Sequence, residues 1–484
     1  MMLAVSIALP LLAGALLPVF RWKRPAARNA YVLLMTVLTS LLLGWALTQP
    51  ANGAVDLLRF TDRLTLSLRA DGLGRLFAVL VAVLWPLTTL YAVEYMQEHP
   101  KQDSFFAFFL MSYGVTLGIA LSANLLTLYL FYEMLSLSTL PLVMHGSSGV
   151  SVHAGLKYLY YSLGGAAFAF IGLVYLVYFG GTTDFVFGGL FTHVGIQHTA
   201  QLRLGYLLCF LGFGVKAALF PLHGWLPTAS VAPTPVTALL HAVAVVKSGV
   251  FAILRITYYS FGAALLQGSY AQHIPLALTA FTIVFGCAMA LREHHLKRRL
   301  AYSTVSNLSY ILFGALLLTP QGYAAGLMHL VFHSLMKITL FLAAGVYVVK
   351  ARAEDVRDLR GLGRNMGLTS GVFVLGSLAM TGIPPLIGFI SKWSLGEAAV
   401  LLGGTLPVAG VVALLISAIL TGIYLLVPSF TLYTARRADG APEPAPLGLP
   451  MRATLGVLAA GVLVLSFYSQ PLLDYLTRIA SGLV

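Results

Sequence analysis

The sequence predicts an all-α polytopic membrane protein of about fourteen transmembrane helices arranged as two inverted five-helix repeats, and three observations carry that reading. First, 59% of the 484 residues are hydrophobic and only 9% are charged. A soluble domain carries roughly 25% charged residues, so too little polar surface remains to cover a water-facing globule. Second, the apolar residues fall in runs long enough to cross a bilayer. Third, one short frame (proline, leucine, any residue, glycine, aromatic) occurs twice inside such runs. It reads Pro221, Leu222, His223, Gly224, Trp225 and then Pro385, Leu386, Ile387, Gly388, Phe389, with Lys216 beside the first copy and Lys392 beside the second.

A span needs about 20 apolar residues to cross about 30 Å of hydrocarbon. Runs of this kind cover roughly 3–20, 31–49, 73–96, 105–121, 124–143, 157–180, 204–226, 233–257, 274–291, 300–318, 322–349, 369–391, 408–434 and 452–469. The fourth and fifth are separated only by Ser122, Ala123 and Asn124. The first run has no basic residue ahead of it, and Arg21, Lys23, Arg24 and Arg28 behind it. A cleaved signal peptide has its charge on the other side, so this run is expected to be a retained span with the N-terminus outside.

Alternation then makes 21–30, 97–104, 144–156, 227–232, 292–299, 350–368 and 435–451 the inside connections. They contain the basic clusters Arg292, Lys297, Arg298, Arg299, then Lys350, Arg352, Arg357, Arg360, Arg364, then Arg436, Arg437, as the positive-inside bias requires. The net charge of +13 is therefore assigned to membrane topology, and no nucleic-acid partner is expected. One outside connection, 50–72, departs from the pattern by mixing Arg59, Arg63 and Arg69 with Asp56, Asp62 and Asp71. Both termini are expected outside. Cys209 and Cys287 lie in apolar runs, which excludes a disulfide framework and offers no thiolate set for zinc or an iron–sulfur cluster. No glycine-rich phosphate loop follows a strand. Neither a metal nor another cofactor is expected.

Proline removes a backbone donor, and a nearby glycine permits a bend. Interrupted helices persist in membranes only where protein buries them or they line a cavity, and paired interruptions in corresponding halves mark repeat-built transporters. A weaker echo, GLKYL from 155 and GLMHL from 326, recurs at a similar offset. The expected organisation is three N-terminal helices over 1–104, a first five-helix repeat over 105–257, a second, inverted repeat over 258–434, and a loop with the last span over 435–484. Breaks are expected at Pro221 and Gly224 in the seventh span and at Pro384, Pro385 and Gly388 in the twelfth.

Ionisable groups at bilayer depth are costly and mark pathways by default. At apparent mid-span the chain carries Glu133, Lys216, His241, Lys247, His329, His333, Lys337 and Lys392. One lone lysine can snorkel to the interface, and one histidine can be hydrogen-bonded filler. Eight such groups in five spans exceed anything packing demands. His329, His333 and Lys337 recur every four residues, so they line one helix face over about 12 Å, a spacing suited to water-bridged proton hops. Histidines four apart can also hold a metal, but no carboxylate accompanies them. His241 and Lys247 are six apart and share a path only if their helix is locally overwound or wide-turned; otherwise they serve different neighbours. Glu133 is the one carboxylate at clear mid-span depth, and moving it toward or away from a buried lysine loads or unloads that lysine's proton.

At these residues the sequence closely resembles the antiporter-like proton-channel subunits of respiratory complex I and their relatives in multi-subunit sodium/proton antiporters and energy-converting hydrogenases. The resemblance covers nearly the whole chain and is most specific in FPLHGWLPTASVAPTPVTALLHA (220–242), LKRRLAYSTVSNLSYILF (296–313), HLVFHSLMKITLFLAAG (329–345) and TGIPPLIGFISKW (381–393). It implies fourteen spans with the seventh and twelfth broken. Glu133 would be the fifth-span glutamate and Lys216 its seventh-span partner. His241 and Lys247 would be eighth-span connectors, His333 and Lys337 eleventh-span connectors with His329 one turn earlier, and Lys392 the twelfth-span lysine that exchanges with the outside. The chain stops soon after the fourteenth span, so the long lateral helix of the largest complex I member is not expected.

The resemblance implies a redox-inert, proton-translocating subunit of an NADH-quinone oxidoreductase or hydrogenase-type complex in a bacterial inner membrane, with other membrane subunits and peripheral redox subunits as partners. Two alternatives keep the fold: a sodium/proton antiporter subunit without a redox partner, and a scaffold or subunit of an inorganic-carbon uptake complex.

Overall fold

The protein is described by a computed structural model over residues 1–20, 22–49, 53–61, 63–191, 198–437 and 443–484. Arg21 and Asp62, on which the charge pattern drew, lie outside the described residues. The chain is helical almost throughout. After α1 (Met2–Leu16) and α2 (Pro25–Thr48) comes a two-stranded antiparallel hairpin, β1 (Val55–Arg59) and β2 (Thr65–Leu68). This hairpin corrects the all-α expectation. Thr65, Ser67 and Arg69 alternate with Leu64, Leu66 and Leu68, the period of a strand with one covered face.

Next come α3 (Gly72–Tyr95), α4 (Gln102–Ala120), α5 (Leu125–Val143) and α6 (Gly149–Tyr175), the last running into a π-helical turn, Leu176–Gly180. The boundary between α4 and α5 is sharp because Asn124 caps α5, accepting from the Thr127 amide at 2.8 Å, while its Nδ2 donates to Thr65 O at 2.9 Å and Ser67 Oγ at 2.8 Å in the hairpin.

The seventh expected span is α7 (Thr199–Lys216), a non-helical stretch 217–224, and the short α8 (Trp225–Ala229). The eighth is split into α9 (Thr234–Ala242) and α10 (Val245–Arg255), which continues as a π turn, Ile256–Ser260. There follow a single turn, α11 (Ala263–Leu266), then α12 (Tyr270–Arg292), α13 (Leu296–Leu316), α14 (Pro320–Ala351), α15 (Gly367–Thr381) and α16 (Ile387–Leu402). Helix α17 (Thr405–Thr421) passes through a π turn, Gly422–Leu426, into α18 (Val427–Thr434). The chain finishes with α19 (Leu449–Phe467) and α20 (Gln470–Ala480), a short amphipathic helix that hydropathy did not flag. Among the described residues ten helical runs are long and apolar enough to cross a membrane, and α1 and α15 are apolar but shorter.

Contacts between connections sort them onto two faces. On the basic face Arg28 pairs with Asp103 at 2.9 Å, Lys101 donates to Ser147 Oγ at 2.9 Å, Lys157 to Thr228 Oγ1 at 3.1 Å, and Lys297 to Ala232 O at 2.9 Å. His295 lies 3.6 Å from Glu354, and the Ala445 amide donates to Lys350 O at 2.8 Å. On the opposite face the hairpin meets the α4–α5 turn, Asn124 bridges to Asp184, and the amides of Val186 and Leu190 donate to Tyr259 O and Ser260 O.

Burial is graded across the helices. Leucine, valine and phenylalanine side chains of α1, α2, α6, α17 and α19 lie exposed on the outer surface, as lipid-facing residues do, whereas the most apolar stretch of Thr234–Ser260 is entirely enclosed and that of α14 is 89% buried. The helices richest in histidine and lysine are thus the ones deepest in the protein. That inverts the order expected if those charges were tolerated only because they snorkel to an interface.

Candidate functional site

Two helix interruptions place lysines beside freed backbone groups. Helix α7 ends at Lys216. Its carbonyls are taken up by local donors: the Ala217 amide to Phe213 O at 3.1 Å, Leu219 to Gly214 O at 3.0 Å, and the Trp225 indole to Val215 O at 2.7 Å. Pro221 lies in the non-helical stretch between α7 and α8. The left-handed residue there is Ala218 (φ 54°), not Gly224, whose φ of −61° any residue adopts. In the second interruption α15 ends at Thr381, Gly382 turns left-handed (φ 91°), and Pro384 and Pro385 follow before α16 begins. Lys392 reaches back from α16 to donate to Met380 O at 2.7 Å and Thr381 O at 3.0 Å. A cation is thereby set on the carbonyl end of the broken helix, where the helix dipole favours it. Gly388 does not lie in the break. It is the second residue of α16, and a Cβ there would overlap Ala379 O, so glycine is demanded by backbone approach and not by bending.

Lys216 turns toward α5. Its Nζ lies 4.0 Å from Glu133 Oε1, stands 3.4 Å from the centre of the Tyr132 ring and donates to Tyr132 O. Lys216 is fully buried while the Glu133 side chain is 24% exposed, so the pair spans the boundary between protein interior and surroundings.

The remaining groups assemble in the centre. Between α9 and α10 the chain widens for one turn: both the Val243 and Ala244 amides donate to Leu239 O, at 3.0 and 2.8 Å. This local wide turn lets His241 and Lys247 face the same interior, the alternative that regular helix geometry excluded. Lys247 Nζ lies 2.8 Å from His333 Nδ1. His241 Nδ1 lies 3.2 Å from Thr304 Oγ1, and its ring stacks on Phe341 at 4.6 Å. His329 bonds Ser391 Oγ at 3.0 Å and Asn307 Oδ1 at 3.2 Å, with its ring 5.9 Å from that of His333. Lys337 donates to Ser303 Oγ at 2.8 Å, which also receives the Tyr424 hydroxyl at 2.8 Å.

Direct bonds therefore join Lys247 to His333. Ser391, the residue before Lys392, links His329 to α16. Lys216 makes its contacts with α5 and is separated from Lys247 by the packing of α10 on the end of α7, where a Cβ on Gly249 would overlap Ala217 N. Among the described residues no three histidine, cysteine or acidic side chains are grouped to hold a metal.

Sequence reasoning missed Ser303, Thr304, Asn307, Ser391 and Tyr424. The signal for the first three was present: 303, 304 and 307 recur at helical spacing in STVSN, within a run read only as apolar. It also missed Arg255. This residue is fully buried at the end of α10, ringed by Phe185, Phe251 and Tyr259, and holds both Asp71 oxygens at 2.6 and 2.7 Å. Asp71, read from sequence as part of a mixed-charge loop, is the partner that makes this burial tolerable.

The chain is similar to several known proteins. A family profile described as NADH:quinone oxidoreductase/Mrp antiporter, TM, matches residues 122–421. NADH-quinone oxidoreductase subunit N of Desulforudis audaxviator is 31% identical across 85% of this chain and 83% of its own length. A Na(+)/H(+) antiporter subunit of Alkalihalophilus pseudofirmus is 30% identical across 82% of this chain, which spans only 52% of that relative. Among solved structures, a chain of the membrane-bound sulfane sulfur reductase, an archaeal respiratory membrane complex, superposes over 100% of this chain and 98% of itself with a TM-score of 0.88 at 25% identity.

Proposed function

The chain belongs to the NADH:quinone oxidoreductase/Mrp antiporter transmembrane family, and from that premise we propose that it moves protons along the set Glu133, Lys216, His241, Lys247, His329, His333, Lys337 and Lys392, driven by electron transfer in partner subunits. We read the chain as fourteen spans with two inverted repeats, 105–257 and 258–434, each with a lysine beside a broken helix, Lys216 in the first and Lys392 in the second. One observation carries the transport reading: Lys247 and His333, from helices far apart in sequence, share a 2.8 Å contact wholly enclosed by protein. Such a contact is a single hydrogen bond, so one nitrogen must present a lone pair, and the pair cannot keep all its protons at once. A purely structural link would gain more from an apolar pair of similar volume. Glu133, partly exposed, gates the charge on Lys216. The serine, threonine and asparagine hydroxyls and amides of α13 relay between the central groups. Lys392 and Glu397 are the ionisable wall residues of a largely apolar 550 Å³ groove that also includes Phe389, Trp393, Leu401 and Leu414, and in this reading Lys392 delivers protons to the face opposite the basic loops.

In the assembled native complex, Lys216→Ala is expected to abolish proton pumping while leaving electron transfer between the partners measurable. Undiminished pumping by this variant defeats the assignment.

A second reading, exchange of sodium or another cation for protons without a redox partner, is favoured by the similarity to the Na(+)/H(+) antiporter relative. Sodium-dependent proton flux in vesicles without any reductant selects it.

A further inference from the structure

A groove of about 530 Å³ opens toward the bilayer between α2, α3, α14, α19 and the amphipathic α20. Its wall is leucine and valine with Gly461, except at one end, where Arg75 and Tyr475 stand. That end adjoins the hairpin, because α3 follows directly on β2 and Arg75 lies in its first turn. Along α3 the groove runs from Arg75 to Leu87, about 18 Å. One leaflet of hydrocarbon is about 15 Å deep. Val79 and Val83 on this wall are 49% and 55% exposed, so the groove is open along its side. The far end is floored by Val331 and Leu335 of α14. They stand two residues either side of His333, a spacing that puts them on the opposite side of the helix.

Arg75 is half-buried and donates from Nε to Ala70 O at 2.8 Å and from Nη1 to Leu47 O at 3.2 Å. These bonds use two of its five N–H donors. The carboxylate one turn away, Asp71, is taken by Arg255 at 2.6 Å and Arg69 at 3.7 Å. Beside Arg75, Tyr475 bonds Gly72 O at 3.1 Å through its hydroxyl and lays its ring on the apolar wall, the posture of a tyrosine at a membrane interface. A cation at the interface, above a hydrocarbon slot one leaflet deep, fits an amphiphile with an anionic head. Shape excludes a partner helix. Spread over that length, the volume gives a mean cross-section of about 30 Å², whereas a helix with its side chains is about 10–12 Å across.

We infer that this groove is a phospholipid site in the leaflet on the hairpin side, with the phosphodiester held by Arg75 and one acyl chain lying along α3 and α19, its end against Val331 and Leu335. The phosphate oxygens accept from guanidinium donors that Ala70 and Leu47 leave free, a charge-assisted contact. The chain supplies the packing that Val331 and Leu335 lack on their outer side, and so backs the turn of α14 that carries His333. The second acyl chain stays in the bilayer. The site stands whether or not protons move through the interior.

The test uses the full chain in its native complex, extracted in mild detergent and given phosphatidylglycerol with a photoreactive diazirine at the end of one acyl chain. After illumination, adducts mapped by peptide sequencing are expected to concentrate at Leu87, Val331 and Leu335 over bilayer-facing positions such as Phe168 and Ile419. Unlabelled phosphatidylglycerol should displace the probe, while diacylglycerol with the same chains and no phosphate should compete about tenfold less well, the worth of one hydrogen bond to a charged group. Arg75→Gln should lower labelling by a similar factor. Gly461→Phe should abolish it by filling the groove, since a Cβ at 461 meets only Leu335 at 3.5 Å. Adducts spread evenly over all bilayer-facing helices mean annular lipid only and overturn the site, as does full labelling in Gly461→Phe. Equal competition by diacylglycerol, or full labelling in Arg75→Gln, overturns the phosphate anchor. The competition in wild type needs no substitution, so it decides even where a variant fails to assemble.

Discussion

Lys247 and His333 make the sharpest claim at the scale of single residues. Each is fully buried, and Lys247 Nζ and His333 Nδ1 partner each other while His333 Nε2 is buried without a partner. Lys247→Met strands an imidazole nitrogen, His333→Leu strands an ammonium, and the double variant strands neither. Thermal unfolding in detergent should show both single changes destabilising and the double change costing less than their sum, with a coupling of about 0.5–3 kcal/mol. Additive losses would mean that the contact is incidental.

Asp71 offers a second residue-level prediction, this one in pH. Burial pushes its carboxyl up, but the Arg255 guanidinium outweighs this and holds it below the usual carboxylate range. A group whose folded-state value is depressed stabilises the fold above its unfolded value, about 3.9, and loses that contribution as pH falls through the folded one. Unfolding followed from pH 7 down to pH 3 should therefore steepen in wild type. Asp71→Asn should be less stable by about 3–5 kcal/mol near neutrality, because Arg255 is left buried without its partner, and should show a shallower acid slope. An unchanged slope would place Asp71 outside the acid response.

Among elements, the broken helices test what the glycines do. The frame repeated at 221–225 and 385–389 pointed to both interruptions, because proline with a nearby glycine is a strong local helix punctuator, although Pro10, Pro86, Pro141 and Pro275 lie inside continuous helices. It did not say which glycine bends. Gly388 packs its bare Cα against Ala379 O, where a methyl would overlap the carbonyl, whereas a methyl on Gly224 meets only the end of the Tyr161 side chain at 3.0 Å. Gly388→Ala should accordingly cost about 1–3 kcal/mol or more through overpacking and lower the yield of assembled protein. Gly224→Ala should be close to neutral. Equal effects in a side-by-side thermal assay would return the bending role to both.

Legibility followed the strength of the local signal. Long apolar runs gave the helices, and mid-span charges pointed to the titratable residues of the interior. The wide turn at 243–244 was invisible, because Ala, Val, Ala, Val carries no proline or glycine to mark it. The hairpin was hidden by its charges, and α20 by its shortness. The polar stripe on α13 was hidden by the hydropathy of its neighbours, since averaging over a span erases the face on which Ser303 and Asn307 sit.

For the whole molecule the decisive property is its two-sidedness. The basic connections are stapled together, and a buried carboxylate anchors them: Glu94 pairs with Lys350 at 3.0 Å and accepts the Gly448 and Met451 amides at 2.8 and 3.2 Å, fastening α3, α14 and the start of α19 at one end. The hairpin and the 181–191 connection close the other end. A transport path from one face to the other requires these ends to see different compartments, and the chain is well suited to the measurement because both native cysteines are buried. Ser147→Cys on the basic face and Leu57→Cys in the hairpin place one thiol at each exposed end. An impermeant maleimide should label position 147 in inside-out vesicles and position 57 in right-side-out vesicles or cells, each blocked in the reverse preparation. Labelling of both from one side would mean an even number of crossings between residues 57 and 147. It would also break the alternation that sets the basic connections and the exit beside Lys392 on opposite faces, and vectorial transport through this set of residues would have to be abandoned.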